Sequence, residues 1–243
     1  MQLQLSTWQE VERYLETTTA ILIPIGSTEQ HGPNGFIGTD ALCPEVLGKA
    51  VGEETGALVA PTLSIGMAQH HLGFSGSITL RPSTLIRVVQ DVVNSLARHG
   101  FDRFYFLNGH GGNIAPLTTA FNEVYAEASL GTASSNRPPL RCKLRNWFDC
   151  KGVQQIAERE FGDSEGMHAT CSEVSLTYFA YPEHIKQAEM TPRVAPVGPI
   201  YDADDYRRRF PDGRIGSDPS LATPEIGKRL FEAAVKELSE EWR

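Results

Sequence analysis

Two carboxylates and an imidazole lie close together in the segment GSTEQHGPNGFIGTD, which covers residues 26–40. Glu29, His31 and Asp40 fall within a dozen residues, and a second imidazole, His110, lies in the segment NGHGGN. Carboxylates combined with imidazoles are typical ligands of zinc, manganese and ferrous iron. Because no cysteine accompanies them, the pattern predicts an open metal site that holds water rather than a closed structural zinc site.

The glycines of these two segments allow two interpretations. They permit tight turns, because glycine adopts positive φ angles readily, and they let the backbone approach a ligand closely. Neither segment contains the GxxxxGK pattern of a phosphate-binding loop, and NGHGGN lacks the GxGxxG spacing of dinucleotide sites. A nucleotide-binding oxidoreductase is therefore disfavoured.

Both segments follow apolar runs that predict buried strands. AILIPIG (20–26) leads into the first segment, and FDRFYFLNG (101–109) leads into the second. Further strands are predicted over 57–66 and 140–148, and the run 174–181 fits either a strand or a helix. Because functional groups gather beyond the carboxyl ends of parallel strands, these strands are expected to position the candidate ligands.

Helical patterns alternate with the predicted strands. The clearest helix covers 81–100, and others are predicted after Asp40, after Asn113 and over 224–242. A first helix is predicted near the start of the chain, with Ser6 or Thr7 as the N-cap and Glu10 at the capping-box offset from Thr7.

The alternation of strands and helices predicts the fold class. Strands separated by helices favour a mostly parallel central sheet covered on both faces, which is a three-layer α/β/α sandwich. The stretch 185–222 is rich in Pro, Gly, Asp and Arg, and we expect an extended loop or arm there. No linker composition interrupts the chain, so a single domain over 1–243 is predicted.

The composition disfavours several classes of partner. The net charge of −8, without any basic run, argues against nucleic acid and anionic membranes as partners. No apolar run approaches the roughly 20 residues needed to span a bilayer. The start of the chain lacks the pattern of a secretory signal, and the four cysteines show no CxxC spacing. These features predict a cytoplasmic protein with reduced thiols.

Three segments together resemble the creatininase (creatinine amidohydrolase) family: GSTEQHGPNGFIGTD, NGHGGN and HATCSEVS (168–175). The resemblance extends from residue 23 to about residue 181, with a weaker C-terminal part. It implies a creatininase-like fold and a cofactor of two divalent metal ions, which are Zn, Mn or Fe. It also implies a homo-oligomer, commonly a hexamer, in which the stretch 185–222 could serve as an interface arm.

The resemblance implies roles for individual side chains. Glu29, Asp40 and His110 match ligands of one ion. His31 and Asp40 match ligands of a second ion, so that Asp40 bridges the two. In creatininase itself a glutamate shortly after the motif histidine completes the second ion's ligands, but glycines occupy the matching positions here. Glu173 of HATCSEVS is the expected replacement.

The resemblance also points to catalytic residues. His168 matches the family's active-site histidine, which would bind the substrate or protonate the leaving nitrogen. Glu165 is a further candidate acid or base. His71 of QHHLGFSGS is expected either in the pocket wall or in contact with a ligand, or else in a direct role at the site. Ser164 and Met167 stand where creatininase has a gating tryptophan and a glutamate. These two departures put creatinine itself in doubt as the substrate.

These features together predict a metal-dependent amidohydrolase that acts on a small-molecule amide. A divalent ion lowers the pKa of water from 15.7 to about 7, so that water can attack an amide carbonyl at neutral pH. A cyclic amide, a formamide and a short peptide all stay open as substrates. A metal-binding scaffold of the same fold without hydrolytic activity is the alternative hypothesis.

Overall fold

The computed structural model describes residues 1–131 and 138–243, and a parallel three-stranded sheet lies at its centre. The strands are β1 (Ala20–Ile25), β2 (Arg103–Asn108) and β3 (Arg141–Asn146), hydrogen-bonded in the order β1-β2-β3. Their last residues are in register, because Ile25 pairs with Asn108 and Asn108 pairs with Asn146. All three carboxyl ends therefore lie along one edge of the sheet.

Eight α-helices accompany the sheet in the described part of the chain. In chain order they are α1 (Trp8–Leu15), α2 (Thr39–Thr55), α3 (Pro82–Arg98), α4 (Ile114–Leu130), α5 (Lys151–Phe161), α6 (Cys171–Ala180), α7 (Ala203–Arg209) and α8 (Pro224–Trp242). The first begins with a capping box, as predicted, in which Thr7 and Glu10 satisfy each other's backbone N–H groups. Residues 174–180 of the ambiguous run belong to α6, and Tyr181 is its C-cap.

Helices cover both faces of the sheet, because successive strand side chains point to opposite sides. Helices α3 and α4 pack on one face, and α2 and α8 pack on the other. The first face contributes Ile21, Ile23, Ile25, Phe104 and Phe106 to its core, and the second contributes Leu22, Tyr105 and Leu107. The expected three-layer α/β/α sandwich with a parallel sheet is thus confirmed.

The prediction of a regular strand over 57–66 is wrong. This segment runs beside β1 but forms only isolated parallel bridges with it, at Val59 and Leu63. Pro24 of β1 faces this segment between the two bridges and has no N–H to donate to Ala60, so a continuous ladder cannot form.

The stretch 185–222 is more ordered than its composition indicates. It contains α7, whose N-cap Asp202 accepts a hydrogen bond from the N–H of Asp205. Tyr206 of α7 is completely buried, so this part of the arm packs against the rest of the molecule. Among the described residues, no helix combines the length and apolar character needed to cross a membrane.

Candidate metal centre

The side chains singled out in the sequence converge at the edge where the strands end. Glu29 and His31 lie in the segment after β1, and His110 lies just after β2. Asp40 and Glu173 lie in the first turns of α2 and α6. Four of the five residues are buried, and the side chain of Glu173 is 13% exposed. Strand ends and helix starts thus bring the five candidate metal-ligand side chains together.

Two glycines let the strand ends pack directly on the start of α2. A Cβ atom added at Gly26 or at Gly109 would overlap the backbone carbonyl group of Asp40. Glycine is needed at both positions because only its backbone can approach another chain segment so closely. The ends of β1 and β2 therefore fix the position of Asp40.

Glu29, Asp40 and His110 form the first ligand group, in which one ligand atom from each lies within 4.8 Å of the others. His110 Nδ1 lies 2.8 Å from Asp40 Oδ2 and 3.4 Å from Glu29 Oε1. The other ring nitrogen, Nε2, donates to the carbonyl oxygen of Met67 at 2.9 Å. Because Nε2 then carries the proton of the neutral ring, Nδ1 presents a lone pair, as in histidines that bind metals.

His31, Asp40 and Glu173 form the second ligand group, so Asp40 belongs to both. His31 Nε2 lies 3.0 Å from Asp40 Oδ1 and 3.8 Å from Glu173 Oε1. Its Nδ1 donates to the backbone carbonyl oxygen of Glu29 at 3.0 Å, which leaves a lone pair on Nε2 of the neutral ring. Each oxygen of Asp40 thus faces one imidazole.

The donor chemistry of both groups fits a divalent cation. Both carboxylate oxygens of Glu29 and Oδ2 of Asp40 are buried, and none has a hydrogen-bond partner within the described ranges. A buried polar group without a partner costs about 1–3 kcal/mol, so several together need compensation. Lone pairs of nitrogen and oxygen face each other here, and a cation or a proton must lie between them. Oxygen and imidazole donors suit zinc, manganese and ferrous iron.

Protons take this place when no metal is bound. Burial alone would lower the pKa of His31, but the carboxylates of Asp40 and Glu173 outweigh burial and raise this pKa to about 10. Burial likewise opposes a charge on His110, but Glu29 and Asp40 raise its pKa to about 9. The metal-free site therefore holds protonated imidazoles at neutral pH, and an incoming cation displaces those protons.

The carboxylates of the site have different pKa shifts. Burial raises the pKa of Asp40, but His31 and His110 outweigh it and hold the pKa well below its usual range. Burial raises the pKa of Glu29, with the charge of His110 opposing. Burial also raises the pKa of Glu173 to about 7, again with a nearby imidazole opposing. Asp40 is thus the permanent negative charge at the centre of the site.

Two further histidines contact Glu29. His71 Nε2 lies 3.1 Å from Glu29 Oε1, and burial lowers the pKa of His71 to about 2, so its ring is neutral. His168 Nδ1 lies 3.8 Å from the same oxygen, and Glu29, His31 and His168 form a third potential ligand group. Burial also lowers the pKa of His168, so this imidazole is neutral as well.

The backbone beside His168 is strained. Ala169 has a φ angle of 53°, in the left-handed region that residues with a Cβ atom rarely adopt. The backbone of His168 is held on the other side by paired hydrogen bonds with Ile215. Such strain costs about 1–3 kcal/mol and is often found at functional sites.

Glu165 lies outside the three ligand groups. Its carboxylate accepts hydrogen bonds from the N–H and the hydroxyl of Ser172, at the start of α6. Burial raises its pKa, and its side chain lines a cavity of about 720 Å³ beside α5. The structure therefore does not bring Glu165 together with the converging ligands.

Sequence reasoning missed two residues of this site and left a third undecided. The role of His71 was left open, and the structure places it against Glu29. Gln30, whose amide lies between two histidines, was not considered, although it stands inside the EQHG segment between two predicted ligands. Tyr206 packs edge-on against the His71 ring from α7, and no local sequence signal marks it.

Comparisons with known proteins identify the family. A family model described as creatinine amidohydrolase, Creatininase, matches residues 4–241. Creatinine amidohydrolase of Pseudomonas putida is 28% identical over 246 residues, which cover 96% of this chain and 93% of that protein. A mycofactocin precursor peptide peptidase of Mycolicibacterium smegmatis is 34% identical, with 87% and 79% covered. The 3-dehydro-scyllo-inosose hydrolase of Thermotoga maritima is 32% identical, with 96% and 76% covered.

Solved structures agree with this relationship. A structure titled creatininase Mn superposes with a TM-score of 0.85 at 25% identity, covering 100% of this chain and 97% of that one. A mutant creatininase of the Zn-Zn type superposes with a TM-score of 0.84, also at 25% identity, covering 100% and 96%. The chain belongs to the creatininase family. The expected creatininase-like hydrolase is confirmed at the level of the family.

Proposed function

We propose that this protein is a metal-dependent amidohydrolase that cleaves the C–N bond of a small amide. The observation that carries the proposal is the pair of ligand groups that share Asp40. In each group, lone pairs of nitrogen and oxygen face one another. Carboxylate oxygens among them are buried and have no hydrogen-bond partner in the described residues, so two cations would stabilise this arrangement.

The five converging side chains divide into two sets of ligands in this proposal. Glu29, Asp40 and His110 hold one ion, and His31, Asp40 and Glu173 hold the other. Zinc and manganese are the favoured ions, since similar creatininase structures are of Mn and Zn-Zn forms, and ferrous iron suits the same donors. Such ions, when bound, supply Lewis acidity toward a carbonyl oxygen and lower the pKa of water.

His168 is proposed to move the proton that the leaving nitrogen requires. Its Nε2 donates to the carbonyl oxygen of Gln30 at 2.8 Å, so Nδ1 of the neutral ring is free to accept a proton. That nitrogen points toward the ligand groups, 3.8 Å from Glu29 Oε1. A neutral imidazole in this position can take a proton from attacking water and pass it to the amine product.

Glu165 remains the second candidate for acid–base chemistry, although its hydrogen bonds to Ser172 favour a supporting role. Oε2 of this half-buried carboxyl group lies 3.1 Å from the backbone nitrogen of Ser172, and so helps to define the start of α6. Through α6 it could influence Glu173 without contacting the substrate.

The proposed substrate is a small amide. A cyclic amide, a formamide and a short peptide are the three alternatives within this class. The relatives named above include a creatinine amidohydrolase and a peptide peptidase, so one family scaffold accommodates substrates of different sizes. Met167, next to His168 and 72% exposed, offers an apolar contact rather than a charge to a bound substrate.

We further propose a homo-oligomer, with a hexamer as the expected form, in the cytoplasm. Exposed apolar side chains on the arm support an interface there, and they are Val194, Val197, Ile200 and Tyr201. The four cysteines are free thiols, as expected for a reducing compartment. A single domain over 1–243 and the absence of nucleic-acid partners stay predictions.

Metal analysis combined with a substrate panel tests the proposal. Purified protein would be stripped with a chelator, reloaded with Zn²⁺ or Mn²⁺, and assayed for bound metal and for hydrolysis of lactams, formamides and dipeptides. We expect about two ions per chain and hydrolysis of one class that disappears on stripping. Bound metal without hydrolysis across the panel would favour the scaffold hypothesis, and absence of bound metal would exclude both.

A further inference from the structure

The side-chain amide of Gln30 lies between two histidines, at a position that the proposed metal ligands do not explain. Its nitrogen Nε2 lies 2.9 Å from His71 Nδ1 and 2.9 Å from His168 Nε2. It also lies 2.9 Å from the carbonyl oxygen of Gly213. Gln30 is 6% exposed, so water does not compete for these contacts.

The oxygen of the same amide fixes its orientation. The backbone N–H of Gly32 donates to Gln30 Oε1 at 2.8 Å. If the amide were rotated by half a turn, its NH₂ group would face this N–H and two donors would oppose each other. Gln30 Nε2 is therefore the donor end, and it has two protons to give.

The acceptors of these two protons follow from the position of His168. His168 Nε2 lies 2.8 Å from the backbone carbonyl oxygen of Gln30, which can only accept, so this nitrogen must carry a proton. It is then not an acceptor for the amide. The two amide protons go to the carbonyl oxygen of Gly213 and to Nδ1 of His71.

This assignment determines which nitrogen of His71 carries a proton. A neutral ring whose Nδ1 accepts a hydrogen bond has its proton on Nε2, and that nitrogen lies 3.1 Å from Glu29 Oε1. We propose that Gln30 is a positioning residue that fixes the tautomer of His71, so that the Nε2 proton of His71 lies on the side of Glu29 Oε1 and attracts this carboxylate into its orientation toward the proposed metal. The inference rests on the proposed metal site.

The arm completes this network from the other side. Tyr206 donates to the carbonyl oxygen of Gly213 at 2.8 Å, which holds the acceptor of Gln30 in place. Gly213 has a φ angle of +90°, and a Cβ atom there would overlap the amide of Gln30. The segment 203–216 therefore contributes to the site without supplying a candidate metal ligand.

A double-mutant cycle tests whether Gln30 acts through His71. Gln30→Met keeps the approximate shape of the side chain but removes its donor. His71→Gln places an amide N–H near the former Nε2 position, where it can donate to Glu29 without depending on a tautomer. The dissociation constant for Zn²⁺, measured by competition with a chelator, is the readout in all four proteins.

We expect Gln30→Met to weaken Zn²⁺ binding about 10-fold in the wild-type background, as is typical for partners of metal ligands. In the His71→Gln background the same change should weaken binding less than about 3-fold, because the two positions are coupled. Equal losses in both backgrounds would indicate a merely structural role and overturn the proposal. Absence of any loss in the wild-type background would overturn it as well.

A neutron diffraction map provides a direct measurement that does not depend on any variant. A deuteron on Nε2 of His71 and none on Nδ1 is the expected result, and the reverse pattern would overturn the proposal. Failure of the proposed function is distinguishable, because wild-type protein that binds no Zn²⁺ refutes the metal site. The neutron map would still decide the tautomer of His71 in that case.

Discussion

The two ligand groups share Asp40 but are built from different parts of the fold. In the first group, Glu29 and His110 follow β1 and β2, which are neighbouring strands in register. In the second group, Glu173 comes from the start of α6 and is partly exposed. Hydrogen bonds between strands therefore fix the first group, whereas the second depends on how α6 packs. We expect the first group to bind its ion more tightly than the second.

The largest effect should come from the residue that both groups share. Asp40→Asn removes the permanent negative charge between His31 and His110, so neither ion keeps its ligands. We expect metal content to fall below one ion per chain and kcat/KM to fall by about 1000-fold or more, equivalent to several kcal/mol. Elemental analysis of the purified variant and assays on the true substrate measure both. Full metal content with full activity would show that Asp40 is not a shared ligand.

Replacing Glu173, the candidate ligand on α6, should show whether the two groups bind their ions independently. Glu173→Gln removes a charge from the second group only, and glutamine can also complete the capping box with Thr170, so α6 should still form. We expect about one ion per chain to remain and activity to fall roughly 100-fold.

The matched control for this experiment is Glu29→Gln, which changes the first group in the same chemical way. If the two variants lose metal to the same extent, the difference between a strand-fixed and a helix-fixed group has no energetic consequence. Metal titration followed by calorimetry distinguishes one remaining site from two weakened sites.

Metal affinity should rise with pH in both ligand groups. Without metal, His110 and His31 are protonated below pKa values of about 9 and about 10, so each ion that binds near neutral pH must displace a proton. Each displaced proton makes affinity increase about 10-fold per pH unit below the relevant pKa. Below pH 7 the carboxyl group of Glu173 is also protonated, which adds to the slope of the second group. Burial raises the pKa of Glu29 as well, so a carboxyl proton can add to the slope of the first group.

Zn²⁺ titrations in buffers of different ionisation enthalpy, between pH 6 and 8, measure the number of protons released. A pH-independent affinity over this range would mean that the imidazoles are already neutral in the metal-free protein.

The smallest effect is expected at Glu165. Because both hydrogen bonds of its carboxylate go to Ser172, Glu165→Gln should reduce stability by about 1 kcal/mol and change kcat/KM less than about 10-fold. Thermal unfolding and steady-state kinetics provide the two values. A loss of activity of 100-fold or more at unchanged stability would instead make Glu165 the acid or base of the reaction.

The regular parts of the fold could be predicted from the sequence because their patterns are local. The apolar runs of β1 and β2 and the helical stripe of α3 identify these elements without reference to distant residues. The strand predicted over 57–66 failed because Pro24 of β1 has no N–H to donate to it, and the apolar run of 57–66 alone does not reveal this interruption. The helix α7 was hidden by the Pro-, Gly- and Arg-rich composition around it.

The candidate ligands could be predicted for a different reason. Glu29, His31 and Asp40 occur in one short segment, and the family resemblance connects them with His110 and Glu173. The network around Gln30 could not be predicted, because its partners come from residues 71, 168, 206 and 213. Only the folded chain brings these four positions together.

The capping box of α6 links metal binding in the second ligand group to the exchange of one backbone amide. The backbone N–H of Thr170 donates to Oε1 of Glu173 at 2.5 Å, and this same oxygen faces His31. Occupancy of the second group and fraying of the first helical turn are therefore thermodynamically linked. Deuterium uptake at the Thr170 amide should slow as that group fills, so mass spectrometry of a single peptide could follow cation loading without any substrate.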